Sequence, residues 1–311
     1  MGEKFLRIGP LLLCAFAVIL SGCQVHISVG TKDTLTGEDY PNAGKYQAGA
    51  FTYNADDIKA VEVYWRSGEV EITESDDTEL HVRESGGELL EDTAMHYFLD
   101  DSVLRIRFCK SGAKIVVDAA DKHLSLEVPK GIDISVHATS ALVGADNLTQ
   151  NCILIAVLSG ATELGTITAD TMDLSSSSGS IHADSISAHS LKCSAASGAV
   201  DIGAVSTQVL ECCTSSGSVT MGSITAETAK IATSSGSVDL TMTKVPSAEI
   251  CTSSGTVNLV PGKGGAEVLY TSSSGKLLTD RAYSRKGGLY VLGEGTSNIT
   301  VETASGNLKI Q

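Results

Sequence analysis

Between Phe108 and Tyr270 the chain contains no Phe, Trp or Tyr. A core without rings over so long a stretch must be narrow and filled by small aliphatic side chains. Aromatics make up only 5% of the whole, while there are 31 glycines, so turns are frequent. Aromatic platforms for stacking sugars are missing from the middle of the chain. Positive charge is scarce too: 22 Lys and Arg against 37 Asp and Glu give a formal net charge of −15. That balance excludes nucleic acid as a partner, because phosphate binding needs a basic surface. It also weakens contact with anionic headgroups, so any membrane attachment needs another cause. The seven histidines form no His-Glu-x-x-His pair and the cysteines no Cys-x-x-Cys pair, so no metal site is expected. No nucleophile motif is present either. The expectation is a protein without catalytic residues, metal or soluble cofactor.

Long apolar runs are absent, with one short exception. Lys4 and Arg7 precede an apolar stretch from Leu11 to Leu20, which is too short to span a bilayer comfortably. Leu20-Ser21-Gly22-Cys23 follows and resembles the bacterial lipobox. The resemblance implies cleavage before Cys23 and a diacylglycerol thioether on its sulfur. Two acyl chains anchor stably where one is marginal. Residues 1–22 are therefore expected to be a lipoprotein signal peptide. The mature protein is expected outside the cytoplasm, lipid-anchored to the cell membrane, or to the outer membrane in a host with two. The lipidated Cys23 and the aperiodic residues up to 55 read as a flexible tether.

What is abundant is repetition. Gly160, Gly179, Gly198, Gly217, Gly236 and Gly255 stand nineteen residues apart, and most close a Ser/Thr-rich turn such as Thr-Ser-Ser-Gly at 214–217. A strict period of this length marks a solenoid. Counted from the glycine, apolar residues fall at +2 and +4, at +7 and +9, and at +12 and +14. One coil thus reads Ile181, Ala183, Ile186, Ala188, Leu191, Cys193. Steps of two are strand alternation; the steps of three are corners. The fold class predicted is all-β: a single-stranded parallel β-helix with roughly triangular coils. A corner glycine suits positive φ, where a Cβ clashes.

Ala141 and Lys122 continue the phase backward, with Leu124, Leu126, Ile134, Val136 and Ala138 as inward residues. Gly68 opens the same template with Val70, Ile72, Leu80 and Val82. At the other end Gly287 leads to Leu289, Val291, Ile299 and Val301, and Gly306 to Leu308 and Ile310. About eleven coils at roughly 4.8 Å each make a rod on the order of 50 Å long. The solenoid is expected over 56–311: irregular coils and a cap at 56–121, regular repeats at 122–275, and C-terminal coils with an inserted loop at 276–311. Aromatics clustered before Phe108, including Trp65, are expected to plug the N-terminal end, since an open last coil exposes core and strand edges.

The outward position +13 reads Asp173, Lys192, Glu211, Lys230, Glu249, alternating in sign as a ladder of stacked opposite charges would. Cys193 and Cys212 share an inward column, where their side chains point the same way and serve as small apolar fillers. Cys213 and Cys251 are placed outward, two coils apart. The Ser/Thr corner columns read as hydroxyls that satisfy turn backbone. The repeat surface offers no cluster of carboxylates with a basic residue, as a polysaccharide-cleaving β-helix would want. One basic, aromatic segment stands out on this acidic chain: Arg281, Tyr283, Arg285 and Lys286. It is the candidate contact for a partner.

Val61-Glu62-Val63-Tyr64-Trp65-Arg66-Ser67-Gly68-Glu69-Val70-Glu71-Ile72, Leu-Glu-Val-Pro-Lys-Gly at 126–131 and the Ser-Ser-Gly-Ser-Val repeats resemble a bacterial putative-adhesin family, a domain of unknown function with β-strand repeats. The resemblance covers about 57–311. It implies a β-helical fold, an envelope location and, for some members, association with envelope-stress systems; it supplies no catalytic motif. The reading that results is a cell-surface, non-catalytic binding or scaffold module whose partner is a protein or an envelope polymer. An accessory lipoprotein in envelope stress sensing or homeostasis is the alternative, with a polysaccharide-active enzyme behind both.

Overall fold

The computed structural model describes residues 39–86, 89–113 and 122–311. The signal peptide and Cys23 lie outside them. One continuous sheet winds around a single apolar core. Thr162–Ser176 shows a whole coil: Thr162–Leu164 form one face, Thr166–Ala169 a second and Thr171–Ser176 a third. Each pairs in parallel with the residue nineteen positions on, as in Ile167 with Ile186 and Leu174 with Cys193. From Val143 to Leu259 the inward columns are buried, except on the second face, where Ala188 and Thr207 are half-buried and Thr243 is exposed. This is the parallel β-solenoid that the periodicity predicts.

The corner glycines are needed for a different reason than expected. Of the coil-corner glycines only Gly68 has positive φ, at 85°. The others are required by the stacking itself. A Cβ on Gly179 would sit 1.7 Å from the carbonyl oxygen of Gly160, and one on Gly217 1.8 Å from that of Gly198. Backbone lies on backbone at this edge, and no side chain fits between coils. The hydroxyl three residues before the glycine ties the corner together. Thr214 Oγ1 donates to the Gly217 carbonyl at 2.7 Å, and the Gly236 N–H donates to Thr233 Oγ1 at 3.1 Å. The Thr-Ser-Ser-Gly motif is structural.

At both ends the stacking order departs from chain order. The Lys122 coil does not lie under the Ala141 coil, because the Gly68 coil is inserted between them. Glu69 N–H donates to the Lys122 carbonyl and Leu142 N–H to the Gly68 carbonyl, each at 2.9 Å. Ala60–Trp65 accordingly pairs in parallel with Val103–Arg107 on one side and Asp133–Ala138 on the other. Leu80 and Val82 do not continue this coil. They belong to Glu79–Ser85, which runs antiparallel to His123–Val128 and closes the stack. The C-terminal end mirrors this arrangement. Ser297–Thr303 lies between Ser247–Thr252 and Gly265–Ser272, and Leu308–Ile310 between Val257–Val260 and Leu277–Thr279. Gly275 is the last corner, against the Gly306 carbonyl. Gly287, expected to be a corner, sits in a hairpin turn instead, and Leu289 and Val291 pair antiparallel in that hairpin.

Other expectations need correction. The tether is shorter than residues 23–55. Phe51–Asn54 pairs antiparallel with Glu79–Ser85, and Tyr40 is buried with its hydroxyl donating to the Cys109 carbonyl. Rings of Phe51, Tyr53 and Tyr97 pack beside this strand. Trp65 and Phe108 meet edge to face at 4.9 Å inside the N-terminal end. In the Gly236 coil Met242, not Thr243, takes the inward site, because a register shift follows Met221. Cys251 is buried rather than outward-facing, and Cys213 is half-buried; the cysteines of the described residues form no disulfide. The +13 column is in register, with Lys192 3.9 Å from Asp173. Burial raises the Asp173 carboxyl, and Lys192 opposes that shift.

Candidate functional site: a basic hairpin at the C-terminal end

Tyr283–Lys286 and Leu289–Gly293 form an antiparallel hairpin closed by Gly287 and Gly288, both at positive φ. Lys286 faces Leu289 across it. A two-residue turn with φ above zero at both central positions matches strand twist, which is why two glycines stand there. Leu289–Gly293 pairs antiparallel with Gly265–Ser272, the outermost strand of the third face. The hairpin therefore ends the parallel stack as Glu79–Ser85 does at the other end, but its outer strand is exposed at all four positions.

The structure brings three of the four sequence candidates together on this strand. The Arg285 guanidinium lies 4.5 Å over the Tyr290 ring and hydrogen-bonds the Tyr290 hydroxyl. Tyr283 packs on the same ring at 5.4 Å, with nearly half of its own surface open to solvent. Lys286 stands at the turn. Arg281 lies just before the strand and donates to the Gln311 carbonyl at 3.3 Å. Among the described residues none of these cations makes an ion pair with a carboxylate within 4.0 Å. A ring that holds a guanidinium by cation–π contact orders it without neutralising it.

The surroundings set this site apart. From residue 261 onward Lys263, Lys276, Arg281, Arg285, Lys286 and Lys309 outnumber Glu267, Asp280, Glu294 and Glu302, on a chain that is strongly acidic as a whole. Leu269 and Leu278 are exposed on the same terminal layer. The sequence reading missed these two leucines, because their outward exposure follows from Gly265–Ser272 and Leu277–Thr279 being outermost, which chain order conceals. It also missed Asp77, Glu79 and His81, whose ligand atoms lie close together. That group is a turn satisfied within itself: Asp77 accepts from the Glu79 N–H at 2.8 Å and contacts His81 Nε2 at 3.1 Å.

A family model described as Toastrack DUF4097 matches residues 58–311. Among solved structures, the chain is similar to a putative lipid binding protein from Parabacteroides distasonis. Identity is 15% over 86% of this chain and 98% of that one, with a TM-score of 0.49. It is similar to a putative adhesin from Parabacteroides merdae at 16% identity over 86% and 97%, TM-score 0.45. A putative adhesin from Bacteroides fragilis shows 12% identity over 86% and 97%, TM-score 0.41. No curated protein matches the chain.

Proposed function

We propose a function from one premise: the chain belongs to the Toastrack DUF4097 family. It acts as a cell-surface binding module without catalytic chemistry, held to a membrane by lipid on Cys23 and contacting its partner through the C-terminal end. The observation that carries this reading is polarity along the rod. The chain enters at the end where Tyr40 packs, while the hairpin stands past the last coil at the opposite end. On the order of 50 Å separates them, at roughly 4.8 Å per coil. A lipid anchor at the entry end would lift the hairpin away from the bilayer. The uncompensated Arg285 and Lys286, the exposed Tyr283 and the neighbouring Leu278 suit an acidic protein or an acidic envelope polymer. Aromatic and arginine side chains are the usual anchors of such contacts.

Two measurements test it. Replacing Cys23 by Ala should move the protein from the membrane to the soluble fraction; retention in the membrane would refute the anchor. A photo-crosslinking residue placed at 283 in intact cells should yield an adduct that the same residue at 209, an exposed site on the mid-rod surface, does not. Equal adducts at the two positions, or none at 283, would remove the hairpin from the reading.

A further inference from the structure

The hairpin ends the sheet in an edge that has no neighbour. Among the described residues Tyr283–Lys286 pairs with Leu289–Gly293 and with no other strand, and all four of its residues are exposed. Two separate observations fix which of its backbone groups are free. The two-residue turn makes Lys286 and Leu289 a hydrogen-bonded pair, and such pairs alternate along an antiparallel ladder. Ser284 therefore bonds Val291, and the N–H and C=O of Tyr283 and Arg285 point away from the hairpin. The other side of Leu289–Gly293 gives the same phase. There the Glu294 N–H donates to the Gly264 carbonyl at 2.9 Å, so Leu292 and Tyr290 bond Ala266 and Val268 and Val291 is left for Ser284. Two N–H and two C=O groups thus stand open along the edge.

Three other strands have a single neighbour among the described residues: Gln47–Ala48, Phe51–Asn54 and Leu277–Thr279. None of them carries a charged side chain. On Tyr283–Lys286 two cations are consecutive, and strand alternation separates them. Arg285 lies on the face it shares with Tyr283 and Tyr290, and Lys286 on the opposite face. Cations on an open edge repel a strand of like charge, and with it a second copy of this edge. They admit a strand that brings carboxylates. An acidic polymer without amides would meet the side chains and leave the backbone groups of Tyr283 and Arg285 unused. An extended acidic peptide uses both, the backbone for affinity and the side chains for choice. Antiparallel addition continues the sense of the hairpin and is the more stable pairing. In that register the residues opposite Lys286 and Arg285 are consecutive and acidic, the next is unconstrained, and the one opposite Tyr283 is apolar.

We propose that the Tyr283–Lys286 edge binds an extended acidic segment of a partner protein by antiparallel strand addition. This rests on the hairpin being the contact surface and narrows its partner to a peptide strand. The Gln311 carbonyl accepts from Arg281 at 3.3 Å, so a segment tethered after Gln311 reaches the edge at an effective concentration on the order of millimolar. The test extends the full chain carrying Cys23→Ala by a Gly/Ser linker of about ten residues and the segment Thr-Glu-Asp-Thr-Val-Thr. Amide hydrogen exchange is then followed residue by residue by NMR. The Tyr283 and Arg285 amides should exchange about tenfold more slowly than in the chain without the segment, while those of Ser284 and Lys286, already bonded within the hairpin, stay unchanged. Replacing both acids of the segment by lysine should abolish the protection. Tyr283→Pro removes one outward N–H at the first residue of an edge strand, where proline is tolerated. It should abolish the protection at Arg285 that Tyr283→Ala only weakens. No protection by the acidic segment, equal protection by the basic one, or equal behaviour of the proline and alanine variants would each overturn strand addition. Protection that grows with concentration in the chain lacking the segment would make a second copy the occupant and overturn it as well. A crosslinked adduct at 283 without amide protection would keep the hairpin as the contact and reject the peptide strand, so the two readings fail separately.

Discussion

The two ends of this rod solve one problem in opposite ways. Each must stop a parallel stack whose next layer does not exist, and each inserts a segment out of chain order: the Gly68 coil between the Lys122 and Ala141 coils, and Ser297–Thr303 between Ser247–Thr252 and Gly265–Ser272. Beyond that they diverge. The N-terminal end closes over its own interior: Trp65 and Met95 are fully buried there, and Lys122 and Glu84 form a buried ion pair. The Lys122 ammonium donates to the Thr93 carbonyl at 2.7 Å and to the Phe108 carbonyl, and sits 4.0 Å from the Phe108 ring centroid. The C-terminal end closes with a hairpin and leaves Leu269, Leu278 and Tyr283 exposed among basic residues. One end spends its rings and charges on the fold and the other presents them outward.

The comparison breaks most readily at Glu84. Its Oε2 accepts the Met95 N–H at 2.7 Å, and its Oε1 faces Lys122. Glu84→Ala leaves a buried ammonium without its counter-charge and should cost about 3–5 kcal/mol. Tyr283→Ala at the exposed end should change stability by no more than about 0.5 kcal/mol. Urea unfolding followed by the fluorescence of Trp65, the single tryptophan, reads the N-terminal end directly; circular dichroism reads the whole sheet. Equal midpoint shifts for the two variants would show that the ends do not differ as described.

A smaller effect separates the two terminal corners. Gly275→Ala places a Cβ 1.8 Å from the Gly306 carbonyl oxygen, and should cost about 1–3 kcal/mol as overpacking. Gly68→Ala meets the Lys122 carbonyl oxygen at 2.0 Å and must also hold φ at 85°. The positive φ adds about 1–2 kcal/mol. Circular-dichroism melts of the two variants should rank Gly68→Ala as the less stable. The reverse order would mean that backbone crowding, not φ, limits both corners.

The regular coils were legible because every one repeats the same local rule. Period, inward columns, in-register charges and hydroxyl corners follow from residues such as Ile181, Leu191 and Thr214 without knowledge of anything distant. The end layers were not legible, because strand order there is set by which edges compete for pairing. Gly68 and Lys122 both fit the corner template, and nothing local says that Gly68 stacks between Lys122 and Ala141. The reason glycine is needed was misread for a related cause: a contact between backbones nineteen residues apart leaves the same mark as positive φ. Gly275 was missed because it stands off the period, twenty residues beyond Gly255. The basic hairpin was visible as a charge anomaly, but its neighbours Leu269 and Leu278 belong to the site only through the permuted stacking.

The buried lysine sharpens the contrast between the ends through pH, with the smallest effect because no contact is deleted. Burial holds the Lys122 ammonium below the ordinary lysine value, against the opposing pull of Glu84. A lysine whose folded value is lowered binds its proton less tightly in the native state than in the unfolded chain. Between that lowered value and the ordinary one the unfolded state carries more protons, so native stability rises with pH across the window. Below the window the protonated group carries the net cost of burial that remains after the pull of Glu84. The Trp65-reported midpoint should therefore climb as pH is raised from neutral toward the lysine range, and Lys122→Met should remove that slope. Arg285 and Lys286 at the solvent-exposed end have no such burial, so replacing both by Gln should leave the slope intact. A slope that persists in Lys122→Met would place its source elsewhere and detach the buried pair from the closure of the N-terminal end.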